Sequence, residues 1–433
     1  MKKTAVLLVF TLAFMLLFSS CASFMGGDRD DAGYAGGYDD SYASMDPSDS
    51  GESDADGSSE DVESDDDAVR LPSGMMTAAA WNDNTYYDAW LELFSQNEDG
   101  NGKFYEYTDP ALSWGYDSTD RVSVLVRNGE TPLAGAKVVA VDGQGNPVFS
   151  AVTDATGTAY LFPGAESGTV TVTYGEISAT ASFNKDERSV SVDLSADSLK
   201  LNVIEIMLVV DVTGSMSDEL EFLEAELTDV ISRIAANDSS TAIKLAMLFY
   251  RDTGDGVPFD YYDFTDVTTE QGLSSMLSKL KKQRASGGGD YPEAVDDALE
   301  MAVNKQWSTG ATTKIIFQVL DAPAHNKSEN KEKLASAVET AAERGIRFCP
   351  IICSGASTDT EYTMREAAIY TGGTFIFVTD DSGIGGSHHD PGLPNATVEL
   401  LNSLMVRLVK GYHTGIFEEP VYWKHDPGLA TNQ

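Results

Sequence analysis

The chain has 433 residues, 42% of them hydrophobic, with 69 acids against 29 bases for a net charge of −40. That length suffices for two or three domains, and the charge argues against nucleic acid as a partner and against a bare anionic membrane surface. Three cysteines exclude a disulfide framework.

The first element is a leader. Met1-Lys2-Lys3 is basic, Ala5 to Phe18 is apolar but too short to span a bilayer, and Ser19-Ser20-Cys21 offers small residues for cleavage. Phe18-Ser19-Ser20-Cys21 resembles a bacterial lipobox, with Phe18 where Leu is usual. The resemblance implies that residues 1–20 are a lipoprotein signal peptide and that Cys21 is lipidated, becoming the mature first residue. Ala22 then implies the outer membrane or the cell surface. An ordinary secretory signal with an incidental cysteine is the alternative. Residues 21–70 carry sixteen acids and two bases, a charge of 2 − 16 = −14, and almost no aliphatic side chains. Such a stretch cannot bury enough apolar surface to offset the entropy of ordering, so it reads as a disordered acidic tether. Fifty residues of flexible coil reach roughly 35–42 Å.

Residues 71–119 read as a helical or irregular connecting region. Its aromatic stretch from Trp81 to Phe94 suggests a short helix with Asn82 or Asp83 as N-cap, packed on neighbouring domains. Asn97 to Thr108 has the alternating oxygens and sixth-position glycine of an EF-hand-like loop but lacks the final glutamate, so a Gly/Asn turn is preferred. Residues 120–197 alternate in short runs such as Val122–Val126, Lys137–Val141 and Thr169–Thr173, separated by turns such as Asp142-Gly143. The pattern predicts a small antiparallel β-sandwich of about seven strands. Pro132 to Val138 with Thr153 to Ala159 resembles the carboxypeptidase-regulatory-like modules of surface proteins, which implies spacing or recognition.

From Leu201 strands and helices alternate, which predicts an α/β fold: a doubly wound, mostly parallel sheet with helices on both faces. The run Val203 to Val210 is nearly all apolar and reads as a strand buried on both faces. Ile243–Tyr250, Lys314–Leu320 and Ile346–Ile352 read alike; helices are expected near Leu220–Ile234, Tyr291–Val303, Glu329–Arg344 and Thr397–Lys410. Residues 412–433 are polar and read as a loosely attached tail. Cys349 and Cys353 are about 13 Å apart on such a strand, beyond disulfide reach, and read as two buried thiols.

Asp211-Val212-Thr213-Gly214-Ser215 follows the first of these strands, where open α/β sheets place ligands. One carboxylate and two hydroxyls suit a hard divalent cation. With Gly287-Gly288-Gly289-Asp290-Tyr291-Pro292-Glu293-Ala294 and the strand ending at Asp321, residues 201–411 resemble a von Willebrand factor type A domain with its metal-ion-dependent adhesion site. The resemblance implies metal ligation by Asp211, Thr213, Ser215 and Asp321. It implies magnesium first, with manganese or calcium as alternatives, and one coordination position left for an acidic side chain of a protein partner. Asp290 stands where the family commonly has a threonine; it ligates directly or through water, or else caps a helix in a capping box with Glu293. Asp252 is expected to support the ligands from behind or to pair with Arg251. His325 reads as a rim residue, more often packed or exposed than in contact with a ligand. His388-His389-Asp390 could catch a transition metal but reads as a solvated, mobile loop.

The function that follows is metal-dependent binding of a protein by an envelope-anchored module. An envelope component with a purely stabilising ion is one alternative. A metal-assisted hydrolase is another, but the sequence has no nucleophile elbow, zinc helix motif or phosphate-binding loop, so no enzyme is expected.

Overall fold

The computed structural model describes residues 73–423 except 98–99, 185, 237–240 and 394. The leader, Cys21, the acidic stretch to Arg70 and residues 424–433 lie outside the described residues.

Eight strands form one sheet in the order Phe259–Asp266, Ala242–Tyr250, Val203–Asp211, Thr312–Leu320, Ile346–Ile352, Phe375–Val378, Thr77–Trp81, Val398–Leu400. The five from Ala242–Tyr250 to Phe375–Val378 run parallel, and the three outer ones pair antiparallel. Ile206, Leu208 and Val210 join a core with the helices Leu220–Ala235, Glu270–Leu280 and Leu401–Thr414. Met207 and Val209 point the other way, into a core with Val295–Val303, Ser328–Arg344 and Thr358–Thr371. Two covered faces explain why the central strand reads as an unbroken apolar run. Cys349 and Cys353 are buried and free, and burial pushes the Cys349 thiol up to about 12.

Residues 122–193 form the expected sandwich. One sheet is Ile177–Asn184, Ser167–Tyr174, Lys137–Asp142, Pro147–Val152; the other is built on Val122–Asn128. It is not wholly antiparallel: Ser189–Asp193 runs parallel to Val122–Asn128, because it arrives by crossing from the opposite sheet instead of by a hairpin.

Residues 71–119 depart most from expectation. Thr77–Trp81 is a strand of the large sheet, antiparallel to both Phe375–Val378 and Val398–Leu400. Its three alanines give little strand propensity, so only its neighbours make it a strand. The helix is short, Tyr87–Glu92, with no side-chain cap at Tyr86. Asn82 instead accepts from the Thr85 N–H in a turn, and Asp83 is committed elsewhere. Gln96–Asn97 and Gly100–Asn101 pair antiparallel, and residues 98–99 of the EF-hand-like stretch lie outside the described residues. Of the aromatics from Trp81 to Phe94, Phe94 packs on the neighbour, edge-on to Tyr362 at 6.2 Å, where Tyr107 stacks on Tyr362 at 3.8 Å and Phe104 lies edge-on to it.

At that contact Arg365, 1% exposed, donates to Asp83 Oδ1 and Oδ2 at 2.6 and 3.0 Å and to Glu361 at 2.9 Å. The tail also departs from expectation. The last helix runs to Thr414 with Tyr412 buried, Phe417 packs edge-on against Tyr412, and the Trp423 N–H donates to Val398. Among the described residues no helix is long and apolar enough to cross a membrane.

Arg365→Met leaves the buried Asp83 carboxylate without its cation and takes one of three basic partners from buried Glu361. It should cost about 3–5 kcal/mol in urea unfolding, whereas exposed Lys137→Met, which breaks the surface pair with Glu343, should change stability by under about 1 kcal/mol.

Candidate metal centre

Asp211 and the residue after Leu320, Asp321, end neighbouring parallel strands, so the register alone brings two carboxylates to one rim. Both are buried, at 0% and 4% exposed. The chain then turns sharply at Thr213, whose N–H and Oγ1 donate to Asp211 Oδ1 at 2.9 and 2.7 Å. Ser215 Oγ lies 3.1 Å from Thr213 Oγ1 on a short 3-10 turn, Gly214–Asp218. Asp211, Thr213, Ser215 and Asp321 thus lie at one rim.

A second loop closes over them. The Gly214 N–H donates to Gly287 O and the Ser286 N–H to Val212 O, each at 3.0 Å. Gly288 has φ +73°, and a Cβ there would meet Glu293 Oε1 at 2.7 Å and Thr213 Cβ at 3.2 Å. Glycine is required at that position twice over, by conformation and by space.

Glu293 is the site residue the sequence did not reveal. The helix that Asp290 was expected to cap, with Glu293 completing a capping box, begins at Val295 without a side-chain cap, which removes that alternative. Instead the Glu293 N–H donates to Pro323 O, and its side chain is 3% exposed beside the other acids. An acid immediately before the apolar Ala294-Val295 was the available signal. Asp255 was missed too; its carboxylate accepts from the Asp252 and Gly288 N–H groups.

Asp290 is exposed and does not lie in the buried group. One of its oxygens clusters with Asp252 and His325, the three ligand atoms within 4.8 Å of one another. Asp252 pairs with His325, Oδ1 to Nε2 at 3.1 Å, and not with Arg251, whose guanidinium donates to the carbonyls of Ser286 and Arg284. The adjacent histidines are not solvated as expected. His388 is held between Glu219 and Asp380, and His389 reaches Glu361 at 2.6 Å.

The electrostatics are those of an acidic cluster short of positive charge. Burial, then the charge of Asp321, pushes Asp211 up to about 7. Burial, then the charges of Asp211, Asp252, Asp321 and Asp255, pushes Glu293 up to about 9. Asp211 Oδ2 and Glu293 Oε2 are buried with no hydrogen-bond partner. Oxygen donors with unmatched negative charge fit a hard divalent ion, which would be held by Asp211, Asp321 and the two hydroxyls.

Residues 205–379 match the family model of the von Willebrand factor A domain. This part of the chain is a von Willebrand factor A domain. Among curated proteins the chain is similar to a putative ariadne-like RING finger protein of Acanthamoeba polyphaga mimivirus. The two are 28% identical over 223 residues, 47% of this chain and 20% of that one. It is also similar to the alpha-protein kinase vwkA of Dictyostelium discoideum, 23% identical over 124 residues, 28% of this chain and 19% of that one. The chain thus spans about a fifth of the length of these relatives. Similar solved structures include BatB from Bacteroides thetaiotaomicron, with TM-score 0.31 and 15% identity over 40% of this chain and 90% of that one. Another is a von Willebrand factor type A protein from Catenulispora acidiphila, with TM-score 0.32 and 14% identity over 67% and 50%.

Asp211→Asn removes one buried charge from the cluster. By calorimetry the metal-free variant should be at least as stable as the wild type. Wild type should gain about 2.7 kcal/mol at magnesium 100-fold above its Kd, and the variant nothing. Equal stabilisation of both would exclude Asp211 as a ligand.

Proposed function

We propose that the von Willebrand factor A domain is a binding module and not an enzyme. It grips a protein partner through a divalent cation held by Asp211, Thr213, Ser215 and Asp321, with an acidic side chain of the partner completing the shell. Magnesium is the first choice, and manganese or calcium the alternatives. The observation that carries this reading is the grading of exposure across the site. Asp211, Thr213 and Asp321 form a buried floor, while Ser215, Asp290 and Tyr291 stand exposed at the rim. A cation on such a floor has protein oxygens on one side and access for a partner on the other. Asp290 and Asp252 would then act from the rim, by water-mediated ligation or through the ion's field.

The lipobox-like Phe18-Ser19-Ser20-Cys21 supports anchoring to a bacterial envelope through lipid on Cys21, with the acidic stretch as spacer. Cys21→Ser should move the protein from the membrane fraction to the soluble exported fraction; retention in the membrane fraction would remove the anchor from the proposal. For the binding itself, wild type and Asp211→Ala are used to capture partners from an envelope extract, with and without a chelator. Capture should require both the carboxylate and the cation, with circular dichroism unchanged. Equal recovery by both proteins would end the metal-bridge reading.

A further inference from the structure

Four residues beyond Ser215, the turn that presents it ends at Glu219, which is fully buried and opens the helix Leu220–Ala235. Glu219 Oε1 accepts from the Ser354 N–H at 2.9 Å and faces His388 Nε2 at 2.8 Å. The other ring nitrogen, Nδ1, lies 2.7 Å from Asp380 Oδ1, which also accepts the His388 N–H at 3.0 Å. The His388 side chain is 3% exposed. A neutral imidazole has one donor and one acceptor nitrogen, so it would set a lone pair against one of the two carboxylates. Only the imidazolium donates to both.

The contact is close along its length. Gly385 has φ +80°, and a Cβ there would meet Glu219 Oε1 at 2.6 Å. Ser354 and His388 form an isolated bridge. Next in the chain, His389 is tied to Glu361, which also holds Lys103 and Arg365. Among the described residues the Cys353 thiol is a further titratable neighbour of Glu219, kept neutral by burial.

We propose that His388 is a pH-sensitive clasp on the cation site: its imidazolium ties the loop Asp380–Pro391 to the turn presenting Ser215, and its deprotonation frees that turn and weakens the bound cation. The clasp's link to the cation rests on the metal reading above; the clasp itself does not. Burial alone would lower His388, but the hydrogen bonds and charges of Glu219 and Asp380 outweigh it and raise the group above 6.5. A raised histidine contributes its full stability below the unfolded value and loses it as pH rises through the folded value. Glu219 is lowered by His388 despite burial, so its contribution is lost only as pH falls through that depressed value. The clasp therefore holds from mildly acid to neutral pH and opens on the alkaline side. Oxygen-ligand sites otherwise gain affinity as pH rises and protons stop competing, so an alkaline loss has the opposite sign to the ordinary expectation.

The experiment titrates the full chain with magnesium by calorimetry from about pH 6 to about pH 9, a range spanning histidine ionisation, for wild type and His388→Gln. In parallel, hydrogen exchange of the Gly385–Asp390 amides is followed in chelator. Wild type should bind magnesium about tenfold more weakly at the alkaline end, and its loop amides should lose protection there. His388→Gln should show neither change. Wild-type affinity that rises or stays level to the alkaline end would overturn the coupling, and loop protection independent of pH would overturn the clasp. Absence of magnesium binding at every pH would instead sink the metal reading, leaving the exchange data to decide the clasp.

Discussion

Buried negative charge at the carboxyl ends of two adjacent parallel strands is the constraint around which this rim is built. Asp211 and Asp321 come together because Val203–Asp211 and Thr312–Leu320 are neighbours in register, and both carboxylates are desolvated there. Glu293 enters the same volume from a third element, and the crowding makes Asp211 and Glu293 resist ionisation. The glycines at 287 and 288 serve that crowding: each takes a positive φ and leaves room where a side chain would strike a carboxylate. A parallel sheet with helices on both faces is a rigid base for such a site, since moving one carboxylate would mean shifting a strand hydrogen-bonded on both sides.

Residues 82–193 are packed as a jacket on one side of this domain. The helix Thr358–Thr371 is buried from Thr360 to Thr371, with the sheet behind it and residues 81–119 and the sandwich over it. Phe149 and Phe162 of the sandwich meet Tyr370, while Tyr107 and Phe104 meet Tyr362. Arg347 donates across the same boundary to the Val152 carbonyl. These contacts make one continuous apolar core, so the sandwich is a fixed extension of the domain. The strand Thr77–Trp81 completes the arrangement by lending the sheet a segment from before the sandwich.

The acidic rim and the loop Asp380–Pro391 are joined by a second, smaller charge arrangement of the opposite logic. At Asp211 and Asp321 like charges are crowded, and the cation of the proposed function would come from outside the chain. At Glu219 and Asp380 the chain supplies its own in His388. Both centres share the turn from Gly214 to Glu219, which carries a proposed ligand at one end and the clasped carboxylate at the other.

Much of this was legible in the residues. Apolar runs ending in acids identified the central strands and Asp211, Thr213, Ser215 and Asp321, because strand continuity and a carboxyl-end loop are local properties. Leu220 to Ile234 showed its helix for a similar reason, having one buried face and one wet one. The helix Thr358–Thr371 was invisible because burial on every side erases the periodicity that marks a surface helix. Thr77–Trp81 was invisible because alanines take whatever structure their neighbours impose. Glu293 looked like the far member of a capping box begun by Asp290, and His388 and His389 looked solvated, since Glu219 and Glu361, which meet them, lie 169 and 28 residues away. The sequence by itself determined the strand–helix alternation and the chemistry at each strand end, which depend on neighbours a few residues apart. Tertiary structure alone decided which distant charges would meet, because a buried ion pair is a property of two surfaces brought together and leaves no mark on either one separately.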